Sequence, residues 1–246
     1  IWDKGEVVEL TPPHDVLGEV IGQYLPKTEA LREMMKKSYD ILSNHPINVE
    51  RMKKGLNPAN SIWFWGAGTR PALAPFVEKT GHTGAMISAV DLLKGIAVGA
   101  DMKVVEVEGA NGGLDTNYEG KADAAVEALL KDDLDFAYIH LEAPDEMGHQ
   151  GSFERKVQAI ENLDKRIIKR VTEQLEAAGT DFRMLVLPDH PTPVAIRTHV
   201  SDPVPYMLYD STNKQSHTWN YNEKEAQESG NYIDKGYTII NHLFEK

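Results

Sequence analysis

From residue 85 onward, short apolar runs alternate with amphipathic stretches, and this alternation confines the larger part of the chain to an α/β layered fold. Residues 85–90, 103–107, 136–141, 183–187 and 204–209 read as strands. Residues 91–98, 118–130, 153–178 and 237–244 read as helices. The longest of these places Val157, Ile160, Leu163, Ile167, Ile168, Val171 and Leu175 along one side, and Gly179 stands where a helix-ending glycine belongs. Sheets of this kind carry their chemistry in loops beyond the carboxyl ends of the strands.

Two such loops hold unusual residues. The first is His140-Leu-Glu-Ala-Pro-Asp145-Glu-Met-Gly-His149, after the run 136–141. The second is Leu187-Pro-Asp189-His190-Pro-Thr-Pro193, after the run 183–187, with Thr198-His199 just beyond. Together they supply Asp145, His149, Asp189, His190 and His199. Mixed carboxylate and imidazole donors suit borderline divalent ions such as Zn²⁺ or Mn²⁺. Five donors exceed the usual protein share of one catalytic ion, which leaves two metals, or one metal with an acid/base pair. Asp145 and His149 stand four apart, a helical spacing, but Pro144 and Gly148 favour a loop there. Pro191 and Pro193 restrict the second stretch on either side of Thr192.

The remaining histidines carry less. His82, His217 and His242 read as surface or half-buried residues, and His140, inside an apolar run, as hydrogen-bonded core. Lys94 reads as a solvated lysine, with a phosphate contact as the sharper alternative. Ser88 lies within a strand and is not read as a nucleophile.

Bulk properties exclude several classes. A formal net charge of −12 argues against a duplex nucleic-acid binder. It does not argue against anionic small substrates, because a local metal centre can reverse the sign of the field. With no cysteine, disulfides and thiolate zinc sites are excluded. This fits a reducing, cytoplasmic setting. No apolar run approaches the roughly 20 residues of a membrane span, and no secretory-signal pattern is present.

Before residue 85 the text is different. Thr11-Pro-Pro-His14-Asp15 is extended and turn-rich, since the prolines fix φ and remove donors. A helix is expected over 28–43, ended by Asn44-His45-Pro46. Trp63-Phe64-Trp65 reads as a buried strand running into a tight loop. The character changes near Thr80-Gly81-His82-Thr83-Gly84, which sets an expected boundary between 1–82 and 83–246. The chain opens Ile1-Trp2 with no Met, which reads as a piece of a longer protein.

The combination Glu142-Ala-Pro-Asp-Glu-Met-Gly-His149, Pro188-Asp-His-Pro-Thr-Pro193 and Thr198-His-Val-Ser-Asp-Pro-Val-Pro205 resembles the archaeal-type cofactor-independent phosphoglycerate mutases of the alkaline phosphatase superfamily. Thr11-Pro-Pro-His-Asp15, Asn48-Val-Glu-Arg51, Ala59-Asn-Ser-Ile-Trp63, Val107-Glu-Gly-Ala110 and Asp115-Thr-Asn-Tyr-Glu-Gly-Lys121 extend the resemblance along nearly the whole chain. The resemblance implies an alkaline-phosphatase-like α/β sheet with helices on both faces, present as its C-terminal half (83–246). It implies that 1–82 are most of an inserted, smaller α/β substrate-binding domain. It also implies two divalent ions, Mn²⁺ with Zn²⁺ or Mg²⁺ as alternatives, and no need for 2,3-bisphosphoglycerate. Asp145, His149 and His199 would hold one ion. Asp189 and His190 would hold the other, completed by an aspartate and a serine nucleophile outside this chain. His14, Asp15, Arg51 and Lys94 are the candidates for gripping a small phosphorylated substrate. The implied activity interconverts 2- and 3-phosphoglycerate through a phosphoserine. A homoserine kinase on the same scaffold and a non-catalytic binding fragment are the competing readings, and a homo-oligomer fits an incomplete sheet with open edges.

Overall fold

The computed structural model describes residues 7–16, 18–215 and 218–245, with His14 and Asp15 described in backbone only. Backbone proximity divides the chain into two compact units, 1–71 and 72–246. The division precedes the expected boundary at residue 82 because α3 (Phe76–Thr80) belongs with the second unit. Phe76 stacks on Phe136 at 5.3 Å between centroids and meets Phe244 edge-on at 6.3 Å.

The first unit is helical and irregular. It holds two 3-10 turns, Pro13–Val16 and Ile21–Tyr24, and two helices, α1 (Glu29–Leu42) and α2 (Pro46–Lys53). No strand occurs among its described residues, so the expected smaller α/β domain is α and coil here. The expected helix over 28–43 is present as α1. Pro46 does end α1, and it also opens α2, where a first-turn proline loses no hydrogen bond. Trp63-Phe64-Trp65 forms no strand. Trp63 donates from Nε1 to the Thr11 carbonyl at 2.8 Å, and Trp65 is 54% exposed. Aromatic bulk had suggested a ladder, but no second strand is at hand to pair with. The unit is held instead by Asn48, 4% exposed. Its amide donates to the carbonyls of Leu42 (2.7 Å) and Ala59 (2.9 Å), and its oxygen accepts from the Ala59 N–H (2.9 Å).

The second unit is α/β. Strands β1 (Gly84–Ile87), β2 (Lys103–Val104) and β3 (Phe136–Ile139) form a parallel sheet of order β2-β1-β3. β1 is buried at every position, as a central parallel strand is when both faces are covered. Helix α4 (Asp91–Gly99) crosses over from β1 to β2, and α5 (Tyr118–Leu130) from β2 to β3. Ala125 and Ala128 of α5 pack on Ala85 and Ile87, where small side chains let helix and strand backbones approach. Asn117 caps α5, accepting from the Gly120 N–H at 2.9 Å.

After β3 come α6 (Ala143–His149) and a long helix in three parts: α7 (Phe153–Leu163), a π segment (Asp164–Ile168) and α8 (Lys169–Ala177). Ile167, Val171 and Leu175 join Tyr118, Ala122 and Val126 in the main core. Arg166 grips Glu119 through two bonds (2.6 and 2.7 Å), and Arg170 grips Asp123 likewise (2.7 and 2.9 Å). The expected single apolar stripe is broken, since Val157 and Ile160 remain exposed while Ala159 is buried. A π turn carries an extra residue, so apolar positions on its two sides face different directions. Gly179 ends the helix at φ +68°, as the sequence suggests.

The remaining strands, β4 (Arg183–Val186) and β5 (Met207–Asp210), pair antiparallel. Among the described residues no ladder joins them to the parallel sheet, so the one expected sheet is two. Helices α9 (Glu223–Glu228) and α10 (Ile239–Phe244) follow. No described helix is long and apolar enough to cross a membrane.

Two predictions follow from these ties. Asn48→Leu leaves the Ala59 N–H and two carbonyls unpaired, at roughly 1–3 kcal/mol for each buried group left unsatisfied. The melting of the first unit is expected to fall accordingly, and an unchanged denaturation midpoint would remove Asn48 as its tie. The Thr212 hydroxyl and the Arg183 guanidinium hold Asp210 down from 3.8 to about 2. A depressed carboxyl contributes stability above its unfolded value that is lost as pH falls through its folded value. The urea midpoint of the wild type should therefore fall between about pH 4 and 2, with a shallower fall in Asp210→Asn.

Candidate metal centre

The centre is built by α6 and by the chain that follows β4. Contrary to the loop expected there, residues 143–149 are helical. Pro144 sits in the first turn, where its missing N–H costs nothing. Gly148 is tolerated because it is needed. A Cβ there would lie 2.4 Å from the Thr192 carbonyl oxygen and 2.9 Å from Thr192 Cγ2. The helix therefore touches the 191–193 backbone, and its i, i+4 spacing presents Asp145 and His149 on one face.

Asp145, His149 and His199 converge, with one donor atom of each lying within 4.8 Å of the others. His149 Nε2 is 3.3 Å from Asp145 Oδ2, and His199 Nε2 is 3.3 Å from Asp145 Oδ1. The two Nε2 atoms are 3.1 Å apart. His149 Nδ1 is 2.9 Å from the Arg197 carbonyl. A carbonyl can only accept, so Nδ1 carries a proton, and in the neutral ring Nε2 keeps its lone pair. Arg197 turns that carbonyl inward from a left-handed backbone, φ +62°. Gly151 leaves room for the Arg197 side chain, since a Cβ on Gly151 would come within 2.3 Å of Arg197 Nε.

His190 adjoins this group. Its ring lies 3.8 Å from that of His199 between centroids, and its Nδ1 is 3.3 Å from Thr192 Oγ1. Asp189 stands outward, its side chain 71% exposed and its Oδ2 3.6 Å from His190 Nε2. Thus the structure gathers Asp145, His149 and His199 tightly, sets His190 against them and leaves Asp189 at the rim.

The substrate candidates belong to other elements. Lys94, on α4, is held by both oxygens of Glu106 at 2.7 and 3.0 Å. Arg51, on α2 of the first unit, donates from Nε to the Asn57 carbonyl at 2.8 Å. His14 and Asp15 fall in the turn Pro13–Val16, and their side chains, like His217, lie outside the described residues.

Close to these residues are the buried Lys121 and the half-buried Glu142 and Lys156, whose burial sequence reasoning missed. Burial raises Glu142, reinforced by Glu146 and Asp145. Burial lowers Lys121, which is 1% exposed and donates to the His140 carbonyl at 3.1 Å. Burial also lowers Lys156, which donates to the Thr192 carbonyl at 2.6 Å. His140 is core-like as expected, pushed down by burial, with Nδ1 3.4 Å from Ser88 Oγ. A lysine within a helix carries no sequence signal of burial. Thr192, held between two prolines directly after Asp-His, was the one legible hint.

Residues 24–245 match the model of the Metalloenzyme superfamily. A 2,3-bisphosphoglycerate-independent phosphoglycerate mutase of Methanosarcina barkeri is 48% identical over 92% of this chain and 57% of its own. A probable enzyme of the same description from Geobacter sulfurreducens is 43% identical over 100% of this chain and 62% of its own. A solved protein of Pyrococcus horikoshii superposes at a TM-score of 0.66 with 33% identity, covering 81% of this chain and 51% of that one. A cofactor-independent phosphoglycerate mutase from Thermoplasma acidophilum gives 0.50 with 25% identity, over 88% and 50%. The chain thus spans less than two thirds of the length of these relatives.

The contact at Gly148 can be tested alone. Ala in an exposed helix interior gains about 1 kcal/mol over Gly. Here the contact is with a backbone oxygen that cannot swing aside, and overpacking costs roughly 1–3 kcal/mol. Gly148→Ala is expected to lower stability in urea by a net amount of up to about 2 kcal/mol, and a stabilised variant would show that the two backbones are not in contact.

Proposed function

The chain belongs to the metalloenzyme superfamily, and from that premise we propose that it forms the cation-binding part of a phosphoglycerate mutase that interconverts 2- and 3-phosphoglycerate without 2,3-bisphosphoglycerate. The observation that carries this reading is the convergence of Asp145, His149 and His199 from two distant stretches. The naming of the Methanosarcina and Geobacter relatives supports the choice of substrate.

The donor set fits a divalent cation. It offers a carboxylate and two imidazoles, and His149 already has its Nδ1–H committed to a carbonyl, the arrangement that orients a histidine ligand. In this reading those three residues hold one cation. His190 and Asp189 supply part of a second position, completed by residues outside this chain. Mn²⁺ is the proposed cation, with Zn²⁺, which imidazole also suits, and Mg²⁺ as alternatives. Such cations would neutralise phosphoryl charge and lower the pKa of a hydroxyl nucleophile.

The rest of the proposal concerns the whole protein. The phosphoryl group passes through a serine beyond these residues, and the first unit, as part of an inserted domain, holds the glycerate while it is turned. His14, Asp15, Arg51 and Lys94 are its proposed contacts. The second unit is proposed as the C-terminal half of an alkaline-phosphatase-like domain in a cytoplasmic enzyme, with a homo-oligomer as the proposed assembly.

The test is an assay of the longer protein with 3-phosphoglycerate and Mn²⁺. Formation of 2-phosphoglycerate is expected, with loss on chelation, recovery on adding Mn²⁺ and a drop of more than about a hundredfold in His149→Ala. The 246-residue chain alone is expected to show no turnover. A folded, metal-loaded protein that makes no 2-phosphoglycerate, or makes O-phosphohomoserine from ATP and homoserine instead, would overturn the proposal.

A further inference from the structure

Thr192 occupies a position that packing alone does not require to be polar. It is 3% exposed, and its methyl group and carbonyl lie against Gly148. A valine would fill the same space, so the buried hydroxyl needs a reason to be there. That hydroxyl has two neighbours, one from each stretch of the centre. It donates to Asp145 Oδ1 through a short hydrogen bond, and His190 Nδ1 lies 3.3 Å away.

The donor inventory fixes the directions. An ionised carboxylate only accepts, so the single hydroxyl proton goes to Asp145. The contact with His190 then requires Nδ1–H to donate to the threonine oxygen. In the neutral ring, Nε2 of His190 then keeps its lone pair on the side of Asp189 Oδ2, 3.6 Å away, as Nε2 of neutral His149 does by virtue of the Arg197 carbonyl. The loop that carries Thr192 is itself pinned. Lys156 donates to its carbonyl, and the Val200 N–H donates to that of Pro191 at 3.2 Å.

We propose that Thr192 is a positioning residue that joins the two halves of the centre, its one hydroxyl setting both the Asp145 carboxylate and the His190 tautomer for cation binding. The inference rests on the metal reading above. Without the hydroxyl, the carboxylate keeps only its contacts with His149 and His199, and His190 loses the acceptor for its Nδ1–H. Either change hinders coordination. Outer partners of metal ligands are typically worth 10- to 100-fold in affinity.

The test compares wild type, Thr192→Val and Thr192→Ser in the 246-residue chain. Mn²⁺ is titrated by calorimetry, and the imidazole ¹⁵N resonances are recorded on metal-free protein above neutral pH. The expected results are a His190 Nδ1–H tautomer in wild type, its loss in Thr192→Val with a roughly 10- to 100-fold weaker Mn²⁺ affinity, and recovery of both by Thr192→Ser. Thermal melting checks that Thr192→Val keeps its fold. If it does not, Thr192→Ser against Thr192→Ala makes the same comparison. A Thr192→Val chain with unchanged tautomer and affinity overturns this inference and leaves the metal reading standing. A wild type that takes up no Mn²⁺ overturns the metal reading and the affinity claim with it. The ¹⁵N spectra still decide then whether Thr192 sets the His190 ring.

Discussion

Two backbones touch at Gly148, and the arrangement of the candidate centre depends on that contact. Helix α6 and the Pro191-Thr192-Pro193 segment could not come so close with any side chain at residue 148. The approach lets the Thr192 hydroxyl reach Asp145 and brings His199 within 3.3 Å of the same carboxylate. Lys156 holds the segment from below through the Thr192 carbonyl. A missing methyl group permits the approach, and the hydrogen bonds of Thr192 and Lys156 hold it.

The surroundings favour a cation there. Asp145, Glu142 and Glu146 crowd one end of α6, and their mutual repulsion together with burial raises Glu142. Burial lowers two nearby lysines, and Lys121 offsets only part of the rise at Glu142. A divalent ion would relieve this imbalance more effectively than either ammonium. The chain's overall charge of −12 therefore says little about the local preference of the site.

Much of the second unit was legible because its signals are local. The span of α5 over residues 118–130 follows from its alanines and the Asn117 cap, and the end of α8 from Gly179. Misreadings arose where a residue's meaning depends on something distant. Pro144 and Gly148 resemble loop residues, yet one is a first-turn proline and the other a point of contact. Trp63-Phe64-Trp65 has strand chemistry, yet the described residues of the first unit form no strand. The stripe from Val157 to Leu175 assumes one helical period, and the π segment breaks it.

The sequence by itself determined the donors and their order: Asp145, His149, Asp189, His190 and His199 stand out because carboxylates and imidazoles cluster after two apolar runs. It also determined the alternation that makes the second unit α/β, since periodicity is written residue by residue. Only the tertiary structure decided that Asp145, His149 and His199 form one tight group while Asp189 stays at the rim. It alone placed the Thr192 hydroxyl against Asp145 and His190, and the Arg197 carbonyl against His149. The reason is physical. Residues about 50 positions apart meet only when two elements pack, and that packing depends on side-chain volume and backbone direction, which one-dimensional patterns do not record.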